Sequence, residues 1–326
     1  MKPFSALCYA LLVLVAALSA SQATAQESSY AKKTVTLIVP FAPGGSVDLV
    51  GRLFADHLSR TLKQTVVVEN KLGAGGIIGS NQVAKAAPDG YTLLLAIAST
   101  HAIQPAYKTD LPYDVIKDFA PISQFALGGI GIAVRADSPY KNIPDLIAAA
   151  KSGQHLTYGT GGNGSGGHLA AEALKELAGG IKFTHVPYKG GAPAVTDLIG
   201  GQITAVFTDT TTLKSLSASG KIRVIATIGA KRSRAFPDLP TLAEQGVPLS
   251  TGSWMALFAP ANTPAAIIRQ LNAAAISFIS APEITSKFDE LGLTPNKGTP
   301  EELRNAQVQE IALWKRIISK AGIQID

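Results

Sequence analysis

The stretch Val35-Thr36-Leu37-Ile38-Val39-Pro40-Phe41-Ala42-Pro43-Gly44-Gly45-Ser46-Val47-Asp48 decides the reading of this chain. Residues 35–39 form a short apolar run of strand character, broken at Pro40 to Gly45. A helical pattern starts behind Ser46 and Asp48, with Leu49, Leu53, Ala55 and Leu58 on its apolar side. Glycine lets a backbone approach a ligand closely, and the free N–H groups of a helix start carry the positive end of its dipole. A strand, a glycine loop and a helix N-terminus therefore make either an anion site or an ordinary βα connection.

Four more segments repeat the pattern of small or polar residues after a strand. They are Leu72-Gly73-Ala74-Gly75-Gly76, Ser99-Thr100-His101, the run from Gly159 to Gly167, and Pro187-Tyr188-Lys189-Gly190-Gly191. In open α/β sheets such loops line the crevice at the carboxyl ends of the strands. What they share is backbone N–H donors rather than charged side chains, which suits an anion or a small polar molecule.

Outward from these loops the chain alternates strands and helices. Strands are predicted at 34–40, 65–69, 92–97, 130–135, 156–158, 183–186, 205–207, 224–227 and 255–259. Helices are predicted at 49–62, 78–86, 143–151, 168–177, 192–199, 265–281 and 301–321. Gly153, Gly179 and Gly220 fall where helices should stop. The alternation implies an α/β fold of mostly parallel sheets flanked by helices. Two glycine-bearing stretches, residues 126–131 and 249–253, look like crossings between lobes. They divide the chain into one lobe of residues 27–127 plus 254–326 and a second of 128–253.

The first residues read as a secretory signal peptide: Lys2, an apolar run over 11–18, and Ala23-Thr24-Ala25 as a small-x-small cleavage site. Cleavage is expected after Ala25, which makes the mature protein an exported one. Cys8, the one cysteine, lies in that segment, so the mature chain offers no disulfide and no cysteine ligand. No later segment is apolar for about 18 residues. The net charge of +6 is scattered, and its densest cluster, Lys231-Arg232-Ser233-Arg234, has no interleaved aromatic residue. A nucleic-acid groove would need a basic stripe, so no nucleic-acid partner is expected.

Gly159-x-Gly161-x-x-Gly164 matches a dinucleotide fingerprint in form, but the region some 20 residues on holds no acid for a ribose. No Gly-Lys-Ser/Thr follows a glycine run, and no His-Glu-x-x-His occurs. No cofactor and no metal is expected. A catalytic reading would rest on Ser165 with His168, as an exported hydrolase, and would need an acid converging from elsewhere. Asp48 could cap the first helix or meet a ligand, and Asp209 could sit at a strand end facing the cleft. Trp254 and Trp314 read as packing residues.

Taken in order, several segments resemble one family. They are Val39 to Asp48, Val68-Glu69-Asn70-Lys71-Leu72-Gly73-Ala74-Gly75-Gly76, Ala86-Ala87-Pro88-Asp89-Gly90-Tyr91-Thr92-Leu93, Leu111-Pro112-Tyr113-Asp114, His185-Val186-Pro187-Tyr188-Lys189-Gly190 and Leu239-Pro240-Thr241. The chain resembles the substrate-binding proteins of tripartite tricarboxylate transporters, the Bug-type periplasmic receptors. The resemblance implies two α/β lobes that close like a clamshell on a small organic carboxylate and hand it to integral membrane transporter subunits. It implies a monomer and no catalytic residue. It places ligand contacts at Phe41, Ala42, Gly44, Gly45, Ser46 and Asp48 in the first loop. The second loop supplies Gly159, Thr160, Gly164, Ser165 and His168. Ser99 and Thr100 face the site from the first lobe, and Tyr188, Gly190 and Asp209 from the second. A sensor subunit for a signalling system would share the same pocket.

Overall fold

A computed structural model describes residues 32–229 and 231–321. The signal-peptide reading and its cleavage site lie outside the described residues. Two sheets organise the chain. The first has the order β11-β4-β10-β3-β1-β2, with β1 Val35–Val39, β2 Val66–Asn70, β3 Thr92–Ile97, β4 Phe119–Gly128, β10 Ser253–Pro260 and β11 Thr294–Pro295. The second has the order β7-β6-β8-β5-β9, with β5 Ile130–Arg135, β6 Thr157–Thr160, β7 Thr184–Pro187, β8 Ala205–Asp209 and β9 Ile222–Ile228. The chain leaves the first sheet after Gly128, enters the second at Ile130 and returns to the first at Ser253.

The two-sheet α/β architecture is as expected, but the sheets are mixed rather than mostly parallel. β1 pairs in parallel with β2 and β3, and β6 in parallel with β7 and β8. By contrast β10 is antiparallel to both β3 and β4, and β5 is antiparallel to both β8 and β9. The reversed strands adjoin the crossings. A strand followed by a helix returns in the same sense, whereas β5 and β10 enter their sheets directly from the other lobe with no crossover helix before them.

Helices cover both sheets. In chain order they are α1 Ser46–Leu62, α2 Ile77–Ala84, α3 Gln104–Tyr107, α4 Ile143–Lys151, α5 Gly166–Leu177, α6 Gly191–Ile199, α7 Thr210–Ser217, α8 Ala265–Ser280, α9 Pro282–Glu290 and α10 Pro300–Ala321. A single π turn, Ser99–Ile103, leads into α3. Gly153, Gly179 and Gly220 follow α4, α5 and α7 with positive φ, the left-handed helix ending that glycine accepts without strain. Strand β1 is buried along nearly its whole length, because helices cover both of its faces. On one side Phe54, Phe125, Phe278 and Phe288 interlock between α1, β4, α8 and α9. In the second sheet Tyr158, Phe183 and Phe207 form the equivalent aromatic core.

Helix α10 touches both halves. Gln307 Nε2 donates to the His101 carbonyl at 3.0 Å, and the buried Trp314 packs on Ile103 and on Leu169 of α5. Glu310 accepts from the indole N–H groups of Trp254 and Trp314, so both tryptophans are packing residues tied to one acid.

Candidate functional site

The first loop follows β1. Gly45 begins α1 without a side-chain cap, so the first-turn N–H groups have no protein acceptor at a helix start whose Ser46 and Val47 line the cleft. The loop is held from behind by Asp48, which is 3% exposed. Its Oδ2 accepts from the Gly44 N–H at 2.9 Å and from Arg52 Nε at 2.9 Å, and its Oδ1 from Asn70 Nδ2 at 2.9 Å. The Asn70 amide also donates to the Phe41 carbonyl at 2.9 Å. Burial pushes the Asp48 carboxyl up, but the Arg52 guanidinium, the Gly44 N–H and the Asn70 amide outweigh it and hold the group below the usual carboxylate range. The Asp48 carboxylate thus shapes the loop by taking the Gly44 N–H, while the first-turn N–H groups of α1 remain for a ligand.

The second loop follows β6. Ser165 caps α5, its hydroxyl accepting from the His168 backbone N–H at 3.3 Å. The Gly164 N–H donates to His168 Nδ1 at 3.1 Å, which places the imidazole proton on Nε2. The His168 ring stacks on His185 with centroids 4.0 Å apart and planes 10° from parallel, and His185 stacks in turn on Tyr158. The Thr160 hydroxyl is 2.7 Å from His185 Nε2. Burial keeps both imidazoles neutral, lowering His168 and taking His185 down to about 4 with help from its histidine neighbour. A Cβ on Gly167 would lie 2.1 Å from the Phe207 carbonyl oxygen, so only glycine lets α5 dock this closely on β8.

Helix α6 adds a third N-terminus. Gly190, with φ 128°, precedes it and provides no side-chain cap. A Cβ on Gly191 would fall 2.0 Å from the Thr208 hydroxyl. Asp209, in contrast, does cap α7: its carboxylate accepts from the Thr212 N–H at 2.8 Å and from the Thr212 and Thr208 hydroxyls.

These elements surround a cavity of about 250 Å³ between the two sheets, and a second of about 140 Å³ shares Ile97, Asp209 and Ser253 with its wall. Of the residues read from the sequence, Phe41, Ser46, Ser99, Ser165 and Asp209 line this cleft. Thr100, Thr160 and Tyr188 stand behind it. The Thr100 hydroxyl donates to the Ile97 carbonyl at 3.0 Å, and the Tyr188 hydroxyl donates to Asp197 at 2.8 Å. Ala42, Gly44, Gly45, Gly164 and Gly190 contribute loop backbone rather than cleft wall, and Gly159 lies within β6, packed under Ile203, Tyr188 and Ala194. Sequence reasoning missed the apolar wall, chiefly Ile97, Ile103, Ile130 and Phe207, together with Gly252 and Ser253 of the return crossing. Ile97, Ile130 and Ser253 stand at strand ends, whereas Ile103 closes the π turn and Phe207 lies in the middle of β8, positions with no signal of their own. Among the described residues no group of three or more His, Cys, Asp or Glu is placed to hold a metal ion, and no helix is long and apolar enough to cross a membrane.

Helix N-termini from two sheets, turned on one cleft between them, define the two-lobed class of periplasmic solute-binding proteins. Residues 50–323 match the tripartite tricarboxylate transporter family receptor, and the chain belongs to that family. It is 34% identical over 302 residues to the Bordetella pertussis protein BugT, covering 91% of this chain and 92% of that one. Among solved structures, the R. palustris protein Rpa4515 with adipate superposes with a TM-score of 0.82 at 35% identity, over 90% of this chain and 99% of that one. MatC from Rhodopseudomonas palustris with bound malate gives 0.78 at 31% identity, over 88% and 99%.

Proposed function

We propose that this protein is the monomeric receptor of a tripartite tricarboxylate-type transporter. In this reading it captures a small organic carboxylate in the periplasm by closing residues 27–127 plus 254–326 against 128–253, and it delivers the ligand to integral membrane subunits. The observation that carries this reading is the convergence of the uncapped starts of α1 and α6 and the first turn of α5 on one cleft. Each charge-assisted bond from such an N–H to a carboxylate contributes about 1.5–3 kcal/mol net. A few of them supply the roughly 8 kcal/mol of micromolar binding. Because the donors belong to both lobes, the ligand favours the closed arrangement, and that shift is what a membrane partner can recognise. The adipate and malate held by the two structural neighbours belong to the same chemical class.

The geometry around Ser165 supports binding rather than hydrolysis. Its hydroxyl accepts from a backbone N–H, and His168 Nδ1 is occupied by the Gly164 N–H, so no imidazole nitrogen is arranged as a base for that serine. The test is calorimetric titration of protein that has been unfolded and refolded to strip carried ligand, against mono-, di- and tricarboxylates. Stoichiometric heat with a carboxylate that is recovered unchanged after hours supports the receptor. Heat only with neutral solutes, or consumption of the carboxylate, overturns it.

A further inference from the structure

We infer that Lys214 and Arg234 of the second lobe clasp Asp289 of the first, and that this clasp holds the lobes together before any ligand arrives. The inference rests on the lobe closure proposed above but not on the identity of the ligand. The basic run Lys231-Arg232-Ser233-Arg234 divides between two partners. Arg232 stays within its own lobe, paired with Glu244 at 3.1 Å. Arg234 reaches across instead, its Nη2 lying 2.6 Å from Asp289 Oδ1 near the end of α9. From α7, Lys214 donates to the Asp289 carbonyl, so a second cation meets the negative end of the α9 dipole. Beside the two cations the backbones close up. Gly292, with φ 69°, lies so near Ala235 that a Cβ on it would fall 2.6 Å from the alanine Cβ.

Each side of the clasp is rooted in its own core. Leu213 of α7 and Phe236 pack into a cluster on the second sheet, and Phe288 of α9 packs on Phe278 against the first. The contact therefore pulls on whole lobes rather than on loose loops. It also lies on a flank of the cleft: Thr211, one turn before Lys214, and Leu293, directly after Gly292, line the smaller cavity. The chain crosses between the sheets only at 128–130 and near 252–253, so the lobes pivot there and a contact outside those crossings breaks when its flank opens. A half-exposed ion pair such as Arg234–Asp289 shifts a two-state balance by at most about fivefold, and Lys214 and the Gly292 contact add to it. A ligand that meets lobes already disposed to close loses less of its affinity to closing them.

Small-angle scattering of the refolded, ligand-stripped protein tests the clasp at low salt and at 1 M salt, where the screening length is about 3 Å. The parent is expected to be compact at low salt and to gain radius of gyration at high salt. Asp289→Arg sets a third cation against Arg234 and Lys214, and is expected to be expanded already at low salt. Adding Arg234→Glu to that variant restores an opposite pair and should recover most of the compaction. Urea unfolding of each variant separates lobe opening from loss of fold; should Asp289→Arg not fold, Arg234→Glu alone sets two carboxylates face to face and is read in the same way. Equal radii for parent and charge-reversed variant overturn the clasp, as does an expansion that the charge swap fails to reverse. These radii require no carboxylate to bind, so their failure leaves the receptor to be judged by the titration above.

Discussion

The two ligand loops have one geometry and opposite chemistry. Each follows a parallel strand and opens a helix on the cleft. The first is fixed by charge: Asp48 gathers a backbone N–H, a guanidinium and an amide behind residues 41–45. The second is fixed by neutral groups: a serine cap, an imidazole accepting a backbone N–H, and a stack of His168, His185 and Tyr158. Backbone shape can therefore be conserved by quite different side chains, and the two loops should fail under different insults. The first loop also stands in open space, whereas the second is pressed against β8.

The largest separation should come from adding one methyl group. Gly167→Ala drives a Cβ into the Phe207 carbonyl, which no side-chain rotation relieves, and is expected to cost about 3 kcal/mol in urea unfolding and to abolish ligand binding. Gly44→Ala in the first loop meets no atom within 4 Å and suffers only its φ of 82°, an expected cost of about 1 kcal/mol. Equal costs at the two positions would break the contrast between a packed loop and an open one. Next in size is Asp48→Ala, which leaves the Gly44 N–H without its acceptor and the Asn70 amide with the Phe41 carbonyl alone. About 2 kcal/mol is expected from those two bonds. Little more should come from Arg52, whose guanidinium is half exposed and screened by solvent. Urea unfolding of this variant at low and high salt measures both parts.

The loops themselves were legible because their punctuation is local. Pro40, Pro43 and the glycine pairs stop a strand and start a helix within a few residues, and α4 and β5 match their predicted limits. Strand β4 was missed because Pro121, Ser123 and Gln124 interrupt its apolar pattern. Pro121 sits at a bulge opposite β10, while Ser123 and Gln124 find partners in Gly298 and Asn296 far along the chain. Helix α7 was missed because Thr210-Thr211-Thr212 reads as strand, and only the Asp209 cap and the packing of Leu213 commit it to helix. The strand directions at the crossings, the stacking of His185 on His168 and the apolar wall of the cleft all depend on segments brought together by the two-sheet topology. None of these leaves a pattern in any one window of sequence.

Acid should distinguish the loops next. Burial holds His168 below its ordinary value and takes His185 to about 4. The charged groups facing the pair are Glu172 and Lys175 of α5, which pair with each other, while Tyr158 of β6 donates its hydroxyl to Glu172. A histidine whose folded pKa is depressed binds protons more readily when the chain opens. The second loop therefore keeps its full stability above about pH 6.5 and loses it as the pH falls toward 4. The first loop follows at lower pH, because Arg52, the Gly44 N–H and the Asn70 amide outweigh burial and hold the Asp48 carboxyl below the usual carboxylate range. The unfolding free energy is expected to fall as the pH drops from about 6.5 toward 4, and His185→Gln should flatten that fall while Asp48 variants should not. Calorimetry across this range checks the difference.

The smallest contrast lies in two serines. Ser165 caps α5, so Ser165→Ala should cost about 1 kcal/mol of stability as well as ligand affinity. Ser46 stands one residue inside α1, where Gly45 provides no side-chain cap and the Ser46 hydroxyl closes no helix end. Ser46→Ala should lower affinity while moving the unfolding midpoint by less than about 0.5 kcal/mol equivalent. The pair separates a hydroxyl that builds its loop from one that only faces the cleft. If Ser46→Ala destabilises as much as Ser165→Ala, the first loop depends on side-chain capping after all, and the division into charge-held and cap-held loops is wrong.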